Sequence, residues 1–86
     1  MVQSTVLVKN PTGLHARPAG QLVELCKKFE SQITLQNGEI KCDGKRIFSV
    51  LHGCIVQGSE ILVTAEGADE AEALEKIVAF IGSLEE

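Results

Sequence analysis

Tryptophan and tyrosine are absent from these 86 residues, and phenylalanine occurs only three times. Any core must therefore be aliphatic, built from Val, Ile, Leu and Ala. A formal charge of −4 with so few aromatics excludes a nucleic-acid surface, which needs clustered cations and stacking rings. No apolar run approaches the roughly 18 residues of a membrane-spanning helix. Met1-Val2-Gln3-Ser4-Thr5 has neither the basic start nor the apolar stretch of a signal peptide. The expectation is a cytoplasmic chain that neither binds nucleic acid nor inserts in a membrane. At this length it forms one domain, residues 1–86, with a folding margin on the order of 5 kcal/mol.

Paired cysteines are lacking too. Cys26, Cys42 and Cys54 are an odd set with no Cys-x-x-Cys among them, which speaks for reduced thiols rather than zinc or redox chemistry. Cys26 and Cys42 fit small core residues. His52-Gly53-Cys54 offers two ligand types without a second pair, too little for a metal site, so no metal and no cofactor is expected.

What the chain does have is Gly13-Leu14-His15-Ala16-Arg17-Pro18-Ala19. Ala16, Ala19, Leu22, Val23, Cys26 and Phe29 recur at helical spacing and predict a helix from about Ala16 to Phe29. Pro18 suits a first turn, where its missing N–H has no partner to lose. His15 then stands at the cap, with the N–H groups of Ala16 and Arg17 directed out of the helix end. Such an end attracts anions, and Arg17 adds a permanent cation. A neutral imidazole nitrogen beside this cradle can take up a phosphoryl group, with the arginine and the helix end holding its oxygens. A lone histidine near a helix start equally fits a capping or surface residue.

Along the chain, Val2, Val6 and Val8 alternate with Gln3, Thr5, Leu7 and Lys9 in a first strand. Ile33 and Leu35 mark a second, and Asn37-Gly38 turns it into a third, with Ile40 and Cys42 facing inward. Ile47, Val50, Leu51 and Cys54 form the stripe of a short helix, with Phe48 and His52 on a neighbouring face. Ile61, Val63 and Ala65 mark a fourth strand. Asp69 with Glu72 is a capping-box variant ahead of a last helix whose stripe is Ala71, Leu74, Ile77, Val78, Ile81 and Leu84. The order β-α-β-β-α-β-α calls for one sheet with three helices over its apolar face, an open-faced two-layer α/β sandwich of α+β type.

Residues 13–19, together with the spacing to Lys45-Arg46-Ile47-Phe48, to Glu60-Ile61-Leu62-Val63-Thr64 and to the last helix, resemble HPr. This is the family of histidine-containing phosphocarriers of the bacterial phosphoenolpyruvate-dependent sugar phosphotransferase system. The resemblance spans essentially the whole chain. It implies an antiparallel sheet in the order 1-4-2-3 and a carrier rather than an enzyme. Phospho-Enzyme I would donate to Nδ1 of His15, the pros nitrogen, and IIA domains of sugar permeases would accept. It further implies that Thr12, Ala16 and Arg17 hold the phosphate, with Arg17 assisting transfer. Partners would dock on Leu14, Ala16, Gly20, Glu24, Lys27, Arg46, Ile47, Phe48 and Leu51, and the protein would work as a monomer. The chain departs from the family where many Gram-positive members carry a kinase-phosphorylated serine: here stands Arg46, and Ser49 and His52-Gly53-Cys54 also differ from the usual residues. Kinase regulation is therefore not expected. The competing class is a regulatory binding module on the same fold, as in catabolite-repression relatives that have lost the histidine. His15 is present here and favours the carrier.

Overall fold

The computed structural model describes every residue except Thr12, His15, Cys54, Glu85 and Glu86, and for Ala16 the backbone only. Among the described residues the elements are β1 (Val2–Leu7), α1 (Ala16–Lys27), β2 (Gln32–Asn37), β3 (Ile40–Asp43), α2 (Ile47–His52), β4 (Glu60–Glu66) and α3 (Glu70–Ser83). The strands form one antiparallel sheet in the order β1-β4-β2-β3, as the resemblance implied. The register runs from Val2 opposite Ala65 to Leu7 opposite Glu60, and from Gln32 opposite Glu66 to Gln36 opposite Leu62. β4 is central, and its inward residues Ile61, Val63 and Ala65 are fully buried. Ile33 and Leu35 extend that face, and Ala19, Leu22, Val23 and Cys26 of α1 pack on it with Ala73, Ile77 and Ile81 of α3. Each large aliphatic side chain removed from water in this way contributes about 1.5–3 kcal/mol. The other face is uncovered and polar, with Gln3, Gln32, Thr34, Gln36 and Thr64 around a shallow depression.

Four expectations change in three dimensions. Ile40 is 44% exposed, because β3 is an edge strand and only Cys42 lies under α2, whose end approaches so closely that a Cβ on Gly53 would sit 2.4 Å from its sulfur. The hairpin turn is Gly38-Glu39, since Asn37 still pairs with Ile40. The buried line of α3 runs through Ala73, Ile77 and Ile81 and leaves Ala71 at the surface, rotated from the expected stripe. Asp69 makes no side-chain cap to its own helix.

The Asp69 carboxylate accepts hydrogen bonds from the Glu30 N–H and the Ser31 N–H, each at 2.9 Å, and from the Ser31 hydroxyl. The start of α3 is thereby tied to the end of α1, the two helices run antiparallel, and the last turns of α3 lie beside the first turns of α1. These bonds, that of the Ser31 hydroxyl foremost, hold the Asp69 carboxyl below its ordinary pKa.

Candidate functional site

The segment that leads into α1 is fastened on both sides. The Val8 N–H donates to the Ser59 carbonyl at 2.9 Å, and the Val8 carbonyl accepts from the Gly58 N–H at 2.8 Å. The Gln57 side-chain amide donates to the Lys9 carbonyl at 3.0 Å, and the Leu14 N–H to the Ile55 carbonyl at 3.0 Å. Asn10, 1% exposed, donates from Nδ2 to the Gly13 carbonyl at 2.8 Å. Gly13 has φ +62°, and a Cβ there would lie 2.3 Å from the Ile55 carbonyl oxygen. Only glycine combines that dihedral with that approach. The chain therefore reaches α1 from a fixed point, and the helix begins at Ala16 with Pro18 as its third residue.

His15 and Thr12 lie outside the described residues, as does the side chain of Ala16. Of the other anticipated site residues, Leu14 is a correction. At 1% exposure it belongs to the hydrophobic core, with its N–H bonded to the Ile55 carbonyl, and its side chain offers a partner no surface. Arg17 is exposed, one residue into the helix. It lines a groove between α1 and α3 with Gly20, Gln21, Glu24, Leu25, Lys28 and Phe80.

Lys27 lies on the opposite flank of α1, in a second groove with Lys45, Arg46, Ile47, Phe48 and Ser49. Phe48 is 74% exposed, whereas Ile47 and Leu51 are half-buried against the core. The expected docking residues thus divide into two adjoining surfaces either side of the exposed ridge of α1. The basic edge at Lys45 and Arg46 is partly committed. Lys45 Nζ donates to the Phe29 carbonyl at 2.7 Å, and Arg46 Nε lies 3.9 Å from the Asp43 carboxylate. Ser49 Oγ accepts from the Asp43 N–H at 2.8 Å, so its hydroxyl is engaged in the turn.

The remaining candidates are quiet. Burial pushes the Cys26 thiol up to about 12, against the pull of nearby Lys45, which removes it from nucleophilic chemistry. Cys42 is a buried thiol, and Cys54 lies outside the described residues. His52 is exposed at the end of α2. No group of three or more potential metal ligands occurs among the described residues, and no helix there is long and apolar enough to cross a membrane.

Asn10, the 55–59 loop and Phe80 escaped the reading of the sequence. Asn10 carried a signal in Asn-Pro-x-Gly, a turn whose side chain bonds its own backbone. Phe80 carried none, because its relation to Arg17, 63 positions earlier in the chain, depends on the antiparallel packing of α1 and α3.

Comparison with known proteins decides the kinship. The family model for the PTS HPr component phosphorylation site matches residues 2–83. The chain belongs to the HPr family. Its relatives include the phosphocarrier protein HPr of Haemophilus influenzae, 36% identical over 85 residues, covering 99% of this chain and 100% of that one. The HPr-like protein Crh of Bacillus subtilis is 38% identical over 81 residues, 94% of this chain and 95% of its own. The crystal structure of HPr-C-His from Thermoanaerobacter tengcongensis superposes with a TM-score of 0.93 at 40% identity, over 96% of this chain and 93% of that one. Membership of the HPr family makes this a phosphocarrier of the phosphotransferase system and not an enzyme. Its four-stranded sheet and three helices are the HPr sandwich.

Proposed function

We propose that this HPr-family protein accepts a phosphoryl group from phospho-Enzyme I on Nδ1 of His15 and hands it to IIA domains of sugar permeases, working as a cytoplasmic monomer. The observation that carries this reading is the start of α1 at Ala16, directly after His15 in the chain, at the end of a segment pinned through Gly13 and Leu14. A helix end fixed in this way concentrates positive potential where a transferring phosphoryl group needs it. The ring nitrogen attacks phosphorus, and a nitrogen–phosphorus bond forms on His15 as the donor's own breaks. Arg17, the N–H groups of the first turn and Thr12 take the oxygens, with Arg17 able to bind two of them at once. Partners dock on Ala16, Gly20, Glu24 and Lys27 of α1 and on Arg46, Ile47, Phe48 and Leu51 about α2.

Incubation with phosphoenolpyruvate and Enzyme I tests the reading. The product should be labelled once, acid-labile and base-stable as a phosphoramidate is, and His15→Ala should take no label. Label on His52 would overturn the assignment of the site. Similarity to Crh supports a second reading, a regulatory binding module. That reading would be favoured by a wild-type protein that remains unlabelled, and the presence of His15 weighs against it.

A further inference from the structure

Among the described residues two polar side chains are buried, Asn10 and Ser31. Ser31 is accounted for by its bonds to Asp69. Asn10 asks for a reason, since taking a carboxamide out of water is unfavourable unless its bonds compensate. Its Nδ2–H donates to the Gly13 carbonyl at 2.8 Å, although the turn it spans is already closed by the Gly13 N–H on the Asn10 carbonyl at 3.1 Å. The Gly13 carbonyl and the Leu14 N–H belong to one peptide unit, and that N–H donates to the Ile55 carbonyl at 3.0 Å. The unit is thus held at both edges, by Asn10 on its oxygen and by Ile55 on its hydrogen. Such a clamp matters beside Gly13, because a glycine lets the adjoining peptide turn where another residue would resist. The close approach of Ile55 requires glycine there, and Asn10 removes the freedom that glycine brings. The next residue after Leu14 is His15, and α1 begins at Ala16.

We propose that Asn10 is a positioning residue for phosphoryl transfer: by clamping the Gly13–Leu14 peptide against Ile55, it fixes the direction in which the backbone enters His15 and the start of α1. At 1% exposure Asn10 meets no partner, so it acts on the transfer step and not on docking. This inference rests on the phosphocarrier reading.

Asn10→Asp and Asn10→Ala in the full chain test it; aspartate keeps the shape and exchanges the donor for an acceptor, whereas alanine removes the group. Initial rates of labelling by phospho-Enzyme I, taken well below each unfolding temperature, give kcat and KM for the carrier. Both variants should lower kcat about tenfold, as a misdirected reacting group does, and leave KM within about twofold. Native-state hydrogen exchange supplies a readout independent of Enzyme I. The Leu14 N–H should exchange about tenfold faster relative to the Val63 N–H of central β4, because the peptide opens locally while the sheet does not. An unchanged kcat in folded variants overturns the inference, and so does a raised KM at unchanged kcat, which would make Asn10 a support of the docking surface. Parallel quickening of exchange at Leu14 and Val63, or failure of both variants to fold, overturns it too, by making Asn10 a residue of global stability. A wild type that takes no label from Enzyme I overturns the phosphocarrier reading and this inference with it, while the exchange rates still report whether the clamp exists.

Discussion

Gly13→Ala and Gly38→Ala form a matched pair that isolates how much the approach to α1 depends on one close contact. Both glycines have nearly the same dihedral, φ +62° and +63°, but their surroundings differ completely. A Cβ at Gly38 meets nothing within 4 Å, whereas at Gly13 it would lie 2.3 Å from the Ile55 carbonyl oxygen and 2.7 Å from the Val56 Cα. Gly38→Ala should therefore cost only the left-handed penalty, about 1–2 kcal/mol. Gly13→Ala carries the same penalty and must also push the 55–56 backbone away. That movement breaks the 3.0 Å bond from the Leu14 N–H to the Ile55 carbonyl, adding about 1 kcal/mol for the bond and about 1 kcal/mol or more for disturbed packing around buried Leu14. A total near 3–4 kcal/mol would consume most of a stability on the order of 5 kcal/mol. Denaturant titrations followed by far-ultraviolet circular dichroism measure both variants, since the chain has no Trp or Tyr to report by fluorescence. Phosphoryl uptake by Gly13→Ala, below its unfolding temperature, should fall as well, because the start of α1 loses its anchor. If the two variants are equally destabilised, the contact with Ile55 is not what holds the segment.

Arg17→Lys should slow transfer substantially while stability moves by about half a kcal/mol, the usual scale for a surface change; equal transfer rates would make Arg17 a bystander. Phe48→Ala should raise the Michaelis constant with Enzyme I and leave unfolding cooperative, since the ring is 74% exposed; loss of cooperativity would mean that Phe48 supports the core. Arg46→Glu should slow association with Enzyme I most at low ionic strength, with the gap closing as salt rises, and a salt-independent defect would assign Arg46 to packing. Asp69→Asn should destabilise at neutral pH, since the carboxylate holds Glu30 and Ser31. The folded pKa of Asp69 lies below its unfolded value, so its contribution is present above about pH 4 and is lost as the pH falls through the folded value. The difference in Tm between wild type and variant should therefore shrink towards pH 2, and a constant difference would refute the charge argument.

Local chemistry in the sequence was enough for the succession of elements and for the start of α1 at Ala16. Alternation at Ile61, Val63 and Ala65, helical spacing at Ala19, Leu22, Val23 and Cys26, and glycine at turns each act within a few residues, where backbone geometry alone decides. The same locality made residues 13–19 legible as a helix entrance with an arginine beside it. Tertiary structure decided whatever depends on which elements become neighbours. Ile40 and Cys42 share one alternation, yet only Cys42 is buried, because α2 covers one end of an edge strand and not the other. Leu14 belongs to the most recognisable stretch of the chain and still turns inward, held through Ile55, 41 residues later. Asp69 has the sequence of a helix cap, but its carboxylate is taken by Ser31, 38 residues earlier, and Phe80 meets the Arg17 groove only because that tie sets α1 and α3 antiparallel. A side chain's period is a property of its own segment, whereas burial and hydrogen-bond partners are set by the surfaces that chain folding brings against it.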